Sequence, residues 1–278
     1  MKNPKIMYIL ISTFCIFAII AGIYAQFIDS NDSTNTSNQN VQNEVLEKSQ
    51  DEIKSEFNEL FTNTLNLGGF DTTGIQKINN ENDIVYSIYE IEETSDAYEV
   101  KMSIPVINIK NELTTTLNQI TQANFVNKAN EILQKTDTEN KTIYTIDYVA
   151  YVNNNILSLI IRSTLKEGTS AQRVIIQTYN YNLSTNTKAT LVDLINIKKL
   201  NKDEVNNKII EVVTKANEED EALQDMGYNQ IFVRDLTSDM YNVDNAGSYF
   251  LGPNEELYII YPYGNNEFTS KMDIVLFE

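Results

Sequence analysis

The side chains that could do chemistry in this chain are carboxylates and tyrosines, because the usual nucleophile–base sets are missing. There is no histidine, and the single cysteine, Cys15, sits inside an apolar run. No Ser-His-Asp or Cys-His arrangement can therefore be assembled, and a zinc site of His/Cys type is ruled out. No glycine-rich phosphate loop occurs. A carboxylate pair for glycoside hydrolysis needs only two acids at the right separation. With 39 acidic residues, such pairs arise by chance, so no catalytic residue is expected and the chain reads as a non-enzyme. Glu218-Glu219-Asp220-Glu221 lacks the loop spacing of a calcium site and reads as a solvated run near a helix end. No metal or cofactor is expected. The better lead is Tyr258, Tyr261, Pro262 and Tyr263, a candidate ligand-binding group within one short segment. Tyrosine offers a large contact area at low entropic cost. In a strand Tyr261 and Tyr263 share a face, with Tyr258 opposite, and ordinary strand packing is the competing explanation.

The elements that must position these residues begin with an anchor. Residues 6–25 carry no charge and are almost wholly apolar. A helix of roughly 20 such residues spans a bilayer's hydrocarbon core. Lys2 and Lys5 precede it, and no basic residue follows until Lys48. That bias predicts a cytoplasmic tail over 1–5, a single-pass cell-membrane anchor and an extracytoplasmic remainder. A cleaved signal peptide is the alternative, although Ile23-Tyr24-Ala25 is a poor small-x-small site. Residues 26–43, rich in Ser, Thr, Asn and Gln, read as a flexible tether.

The remainder is acidic. The whole chain carries 21 basic against 39 acidic residues, a net charge of −18. Nucleic acid is excluded as a partner, since phosphates demand a basic surface. A cationic partner would be drawn in, although solubility alone also explains the charge. No cysteine follows Cys15, so the external part has no disulfide and must be held by its core. Heavy use of Asn, Ile, Lys and Thr suggests an AT-rich bacterial genome.

Apolar spacing predicts a helix from Glu44 through Val45, Leu46, Ile53, Phe57, Leu60, Phe61 and Leu65, stopped by Gly68-Gly69. Residues 84–91 and 98–104 alternate as strands, with Pro105 marking an edge or a bulge. A long helix over 111–135 should turn Leu113, Leu117, Ile120, Ile132 and Leu133 inward. A hairpin of 142–152 and 156–164 turns at Asn153-Asn154-Asn155. A third strand covers 171–183, and 191–195 is a short apolar segment. Asn201 caps a helix reaching about Leu223, with Val205, Ile209, Val212, Val213 and Ala216 buried. A last hairpin pairs 249–251 with 257–261, and 272–277 follows. The pattern predicts an α+β fold with antiparallel sheets, each packed with a long helix, in two subdomains over 44–138 and 139–278.

Three stretches carry a family resemblance over about residues 80–278. Val100-Lys101-Met102-Ser103-Ile104-Pro105-Val106-Ile107, leading into Asn111-Glu112-Leu113 and Leu117-Asn118-Gln119-Ile120, resembles the small α/β domain of PdaC-type peptidoglycan N-deacetylases. Ser158-Leu159-Ile160-Ile161, with Tyr179-Asn180-Tyr181-Asn182-Leu183 and Leu191-Val192-Asp193-Leu194, resembles the extracellular part of anti-sigma-V (RsiV-like) proteins. So does Tyr249-Phe250-Leu251 with Leu257-Tyr258-Ile259-Ile260-Tyr261 and Tyr263. The chain departs from those proteins at Glu167-Gly168-Thr169-Ser170-Ala171-Gln172, which lacks the family's Gly-Ala-His. It departs again at Tyr263-Gly264-Asn265-Asn266-Glu267-Phe268, which lacks a second Pro-Tyr. Five residues before the span leave no room for a sigma-binding domain, and no deacetylase domain is expected. The resemblance implies a sensor-like envelope domain whose partner is a lysozyme-like cationic protein or peptidoglycan. The alternative is an accessory envelope component docked on another membrane protein, and a carboxylate-only glycan hydrolase stands third.

Overall fold

The computed structural model describes residues 48–229, 231–263 and 271–278. The expected anchor, the tether and the start of the first helix at Glu44 lie outside the described residues, as does the departure after Tyr263. No helix among the described residues is long and apolar enough to cross a membrane.

The fold is α+β, and its first sheet grows from the predicted hairpin. β4 (Thr142–Asn153) and β5 (Ile156–Glu167) pair without a break from Thr142↔Glu167 to Asn153↔Ile156. Asn154 and Asn155 take φ values of 50° and 63°, the positive pair that a two-residue turn with the correct twist requires. β6 (Arg173–Asn182) extends the sheet on one side, followed by the short β7 (Thr187–Lys188). On the other side lie β3 (Tyr98–Ile107) and then β2 (Val85–Thr94).

This sheet is mixed, which corrects the expectation of antiparallel sheets alone. β3 runs parallel to β4 from Tyr98↔Thr142 to Met102↔Ile146 and then parts from it. β1 (Thr64–Asn66) takes over, parallel to Val149–Tyr151 of β4. A parallel pair needs a long crossover, and the helix between β3 and β4 supplies it. Pro105 lies where β3 has already left β4 and where β2 bulges, with Ser87 opposite Pro105 and Tyr89 opposite Ile104. Its missing N–H therefore breaks no ladder bond.

The crossover runs through α2 (Glu112–Thr121), a π-helical turn over Gln122–Val126 and α3 (Asn127–Leu133), with the Asn111 side chain capping its start. Phe125, Ala129 and Ile132 pack on Tyr144, Ile146, Tyr148 and Ala150 of one sheet face. Ile120, expected inside, is exposed. The Asn118 amide turns inward instead, accepting from Ile107 N at 2.8 Å and donating to Ile107 O at 2.9 Å. With Asn118 facing the sheet, a residue two positions on must face away.

The helix expected over 44–65 is shorter. α1 (Gln50–Glu59) starts at a capping box in which Ser49 and Glu52 satisfy each other's backbone N–H. It ends because Asn63 adopts φ 56° and bonds Tyr148 through both its backbone and its side chain, leaving Leu65 in β1. The apolar segment after Thr190 is α4 (Leu191–Ile197), opened by a second capping box with Asp193. α5 (Lys202–Asp225), capped by Asn201, buries Val205, Ile209, Val213 and Ala216.

The second sheet is antiparallel, β8 (Ser248–Leu251), β9 (Leu257–Tyr263) and β10 (Lys271–Phe277), with β9 central. One face packs under α5 through Leu257, Ile259 and Val275. Phe250, Tyr258, Ile260 and Ile274 on the other face pack with Phe57 of α1 against Val149, Tyr151 and Ile160 of the first sheet. The first sheet also joins strands from both sides of residue 138. The second sheet covers only the half of its face around Val149 and Ile160. The other half, around Thr145 and Arg162, is left open, and this is where the candidate site forms.

Candidate functional site

A cleft of about 650 Å³ opens between α1, the uncovered half of the first sheet, the last turns of α5 and the start of β10. Lys54 and Asn58 line the α1 wall, Thr145, Arg162 and Thr164 the sheet, and Tyr263 with Lys271 the far end. The volume is in the range of sites for small ligands.

Arg234 forms the foundation of that far end. Its Nε and Nη2 donate to the two oxygens of Asp273 at 2.6 and 2.8 Å, and Nη1 donates to Asp220 at 2.7 Å and to the Ala216 carbonyl at 2.9 Å. The Arg234 and Asp273 side chains are 2% and 0% exposed. A buried charge persists only when paired and hydrogen-bonded, and this one is saturated on both counts. Burial alone would lower the pKa of the guanidinium, but the bonds and charge of Asp273 more than reverse that and raise it. The guanidinium lies 3.9 Å over the Tyr263 ring. Burial pushes the Tyr263 hydroxyl well above the ordinary phenol range, with the nearby Arg234 charge opposing.

A second arginine stands on the sheet. Arg162 grips both oxygens of Asp147, at 2.9 and 2.6 Å, directly across the β4–β5 ladder. Its remaining Nη1 reaches the Asn58 side chain at 3.0 Å, and its guanidinium sits 4.1 Å over Phe61. Thr145 and Thr164, the next pair along, bond hydroxyl to hydroxyl. Among the described residues no ion pair engages Lys54 or Lys271.

Of the candidate group chosen from sequence, only part faces the cleft. Tyr263 lines it, and Pro262 is exposed. Tyr258 is buried and stacks on Phe250 with centroids 4.6 Å apart, and burial lifts its pKa to about 12. Tyr261 is buried on the opposite face beside Tyr241, at 5.5 Å. The Tyr261 hydroxyl has no hydrogen-bond partner among the described residues. The acidic run is not wholly solvated either, since Asp220 turns inward to hold Arg234 while Glu221 accepts from Asn217.

Arg162 and Asp147 escaped the sequence analysis: a turn over 153–155 would set 147 opposite 161, and only the two-residue Asn154-Asn155 turn of the structure sets Asp147 opposite Arg162. Asp273 carried a fainter signal, the one acid in a strand that is wholly apolar from Ile274 onward. Nothing local in sequence tied it to Arg234 and Asp220.

Chemically, the arrangement offers fixed donors and acceptors. Asp273 and Asp220 are both engaged by one guanidinium. Among the described residues no cluster of three or more His, Cys, Asp or Glu is placed to hold a metal ion.

No protein-family model matches the chain, and no curated protein matches it by sequence. Among solved structures, a DUF3298 family protein from Pseudomonas aeruginosa PAO1 matches with TM-score 0.37 and 11% identity, over 66% of this chain and 82% of that one. A DUF3298 member from Bacteroides fragilis NCTC 9343 matches with TM-score 0.33 and 12% identity, over 69% and 88%.

Proposed function

We propose that this chain is a membrane-anchored, extracytoplasmic binding protein of the bacterial envelope, and that its cleft takes a segment of cell-wall glycan. The observation that carries the reading is the cleft lining. Arg162 and Arg234 are already matched by Asp147, Asp273 and Asp220, and Lys54 and Lys271 are balanced by Asp51 and Glu219 along the same walls. The cleft thus offers planar, oriented donors and acceptors and the rings of Phe57 and Tyr263 without a strong net field. That suits a neutral ligand rich in hydroxyls better than it suits a cationic protein. The apolar stretch over 6–25 and the two lysines before it support the anchored, outward-facing placement. The chain enters the described unit at Lys48, whose ammonium is 2.9 Å from Glu278. Lys271, at the other end of β10, lies on the cleft.

Isothermal titration of the full-length chain in detergent with soluble wall glycan fragments tests the reading. Binding that survives raised salt and is weakened at least about tenfold by Arg162→Ala is expected. Absence of binding at millimolar fragment would overturn it. Salt-sensitive binding of lysozyme instead would favour the cationic partner that the net charge of −18 invites.

A second reading, docking on a neighbouring membrane protein, has its own observation. Met226 and Tyr228, just past the end of α5, are 70% and 60% exposed. Capture of one membrane protein from envelope extract, lost on replacing both by Ser, would favour it.

A further inference from the structure

The open half of the first sheet holds a second hollow, of about 590 Å³, lined by Glu90, Glu92, Lys101 and Ser103. Thr145 lines both hollows, and Asp147 of this one is the residue gripped by Arg162 of the other. The register puts all of these side chains on one face. Glu90 lies opposite Ser103 and Glu92 opposite Lys101, Lys101 lies beside Thr145, and Thr145 and Asp147 lie across from Thr164 and Arg162. The hollows are therefore successive parts of one trough that crosses β2, β3, β4, β5 and β6. With strands ~4.8 Å apart, four steps make it about 19 Å long.

We infer that this trough is an extended subsite array for a linear, uncharged oligosaccharide. The inference rests on the glycan reading of the cleft and lengthens it. Along β4 and β5, in the middle of the trough, the backbone groups are taken up by neighbouring strands, so the floor there presents side chains only. Sheet edges lie at its two ends, on β2 and on the part of β6 beyond β7. An extended peptide draws its affinity from unpaired backbone along a sheet edge, and the trough runs across the strands rather than along such an edge. A sugar chain instead uses hydroxyls, and these can both give and accept. The floor supplies matching partners of both kinds: the Thr145 and Thr164 hydroxyls, the outer N–H edge of Arg162 beside the Asn58 amide, Ser103, and the carboxylate of Glu90. Lys101 and Glu92, 3.6 Å apart, largely cancel each other, whereas Glu90 has no ion pair among the described residues. The far end is thus mildly acidic and disfavours polyanions.

The test is titration of the full-length chain in detergent with chitobiose and with chitohexaose, and with polygalacturonate as the anionic control. The trough predicts chitohexaose binding about tenfold or more tighter than chitobiose. The double variant Glu90→Ala with Ser103→Ala, both on the solvent face, should reduce the hexamer to dimer affinity and leave the dimer unchanged. Unaltered circular dichroism and an unaltered unfolding midpoint would show that the variant keeps the fold. Equal affinity for the two lengths, or a hexamer affinity that the double variant leaves intact, would overturn the trough while the cleft reading stands. Polygalacturonate binding as tightly as chitohexaose would overturn the uncharged class. If neither length binds, the cleft reading falls and the trough with it.

Discussion

Arg162 and Arg234 are built alike and placed differently. Each holds a carboxylate through two N–H groups, and each lies over an aromatic ring, Phe61 at 4.1 Å and Tyr263 at 3.9 Å. The side chains of Arg162 and Asp147 are 19% and 24% exposed, whereas those of Arg234 and Asp273 are 2% and 0%. In the first pair water shares the charge, so the guanidinium remains available to a ligand. In the second, solvent is excluded, and the pair works as a strut that holds α5, β10 and Tyr263 together. Burial, together with the second carboxylate that Arg234 gains from Asp220, separates the exposed pair from the strut.

The sharpest way to break this comparison is to remove one carboxylate from each pair. Asp273→Ala should destabilise the protein by about 3–5 kcal/mol in urea unfolding, because it leaves a buried guanidinium with only the part-exposed Asp220 to match it. Replacing both partners, Arg234→Met with Asp273→Leu, should cost clearly less than Asp273→Ala alone. If the double replacement is as damaging as the single one, the strut is more than a charge pair. Asp147→Ala should cost only about 1 kcal/mol or less, since solvent can take over its role. It should nonetheless weaken glycan binding, because Arg162 loses the fork that orients it.

Alkaline pH gives a gentler test. At neutral pH nothing changes. Tyr258, Tyr261 and Tyr263 have pKa values raised by burial, Tyr258 to about 12, whereas a free tyrosine titrates near 10. A folded-state pKa above the unfolded one gives stability that is full below about pH 10 and lost as pH rises from there toward the folded value. Hydrogen exchange should therefore loosen above about pH 10 around β9 and β10, and also around β4, where burial raises Tyr144, Tyr148 and Tyr151 in the same direction. Exchange in β9 and β10 that stays unchanged up to about pH 12 would contradict the assignment.

The elements most legible in sequence were those specified locally. The asparagines at 153–155 marked a hairpin, although its register was decided by the two-residue Asn154-Asn155 turn of the structure. Asn201 and the α5 stripe fixed a helix, and the phase of β9 placed Tyr258 opposite Tyr261 and Tyr263. Two expectations failed where a distant contact overrode local pattern. Asn118 turned Ile120 outward by reaching Ile107, and Asn63 cut α1 short by pairing with Tyr148. Half of the tyrosine candidate went the same way. Tyr258 and Tyr261 satisfy the pattern of a recognition surface, yet both faces of β9 are covered, one by the first sheet with α1 and the other by α5.

Sequence by itself determined the absence of histidine and of any cysteine after Cys15, the acidic balance, and the run of apolar residues at the start. These are properties of residue types, independent of where the chain goes. Only the tertiary structure decided which acids matter. Asp220, Arg234 and Asp273 lie on three separate segments, and no periodicity relates them. Pairing of charges is selected by the low dielectric of the interior in which they meet, and that interior exists only once the two sheets and α5 have packed.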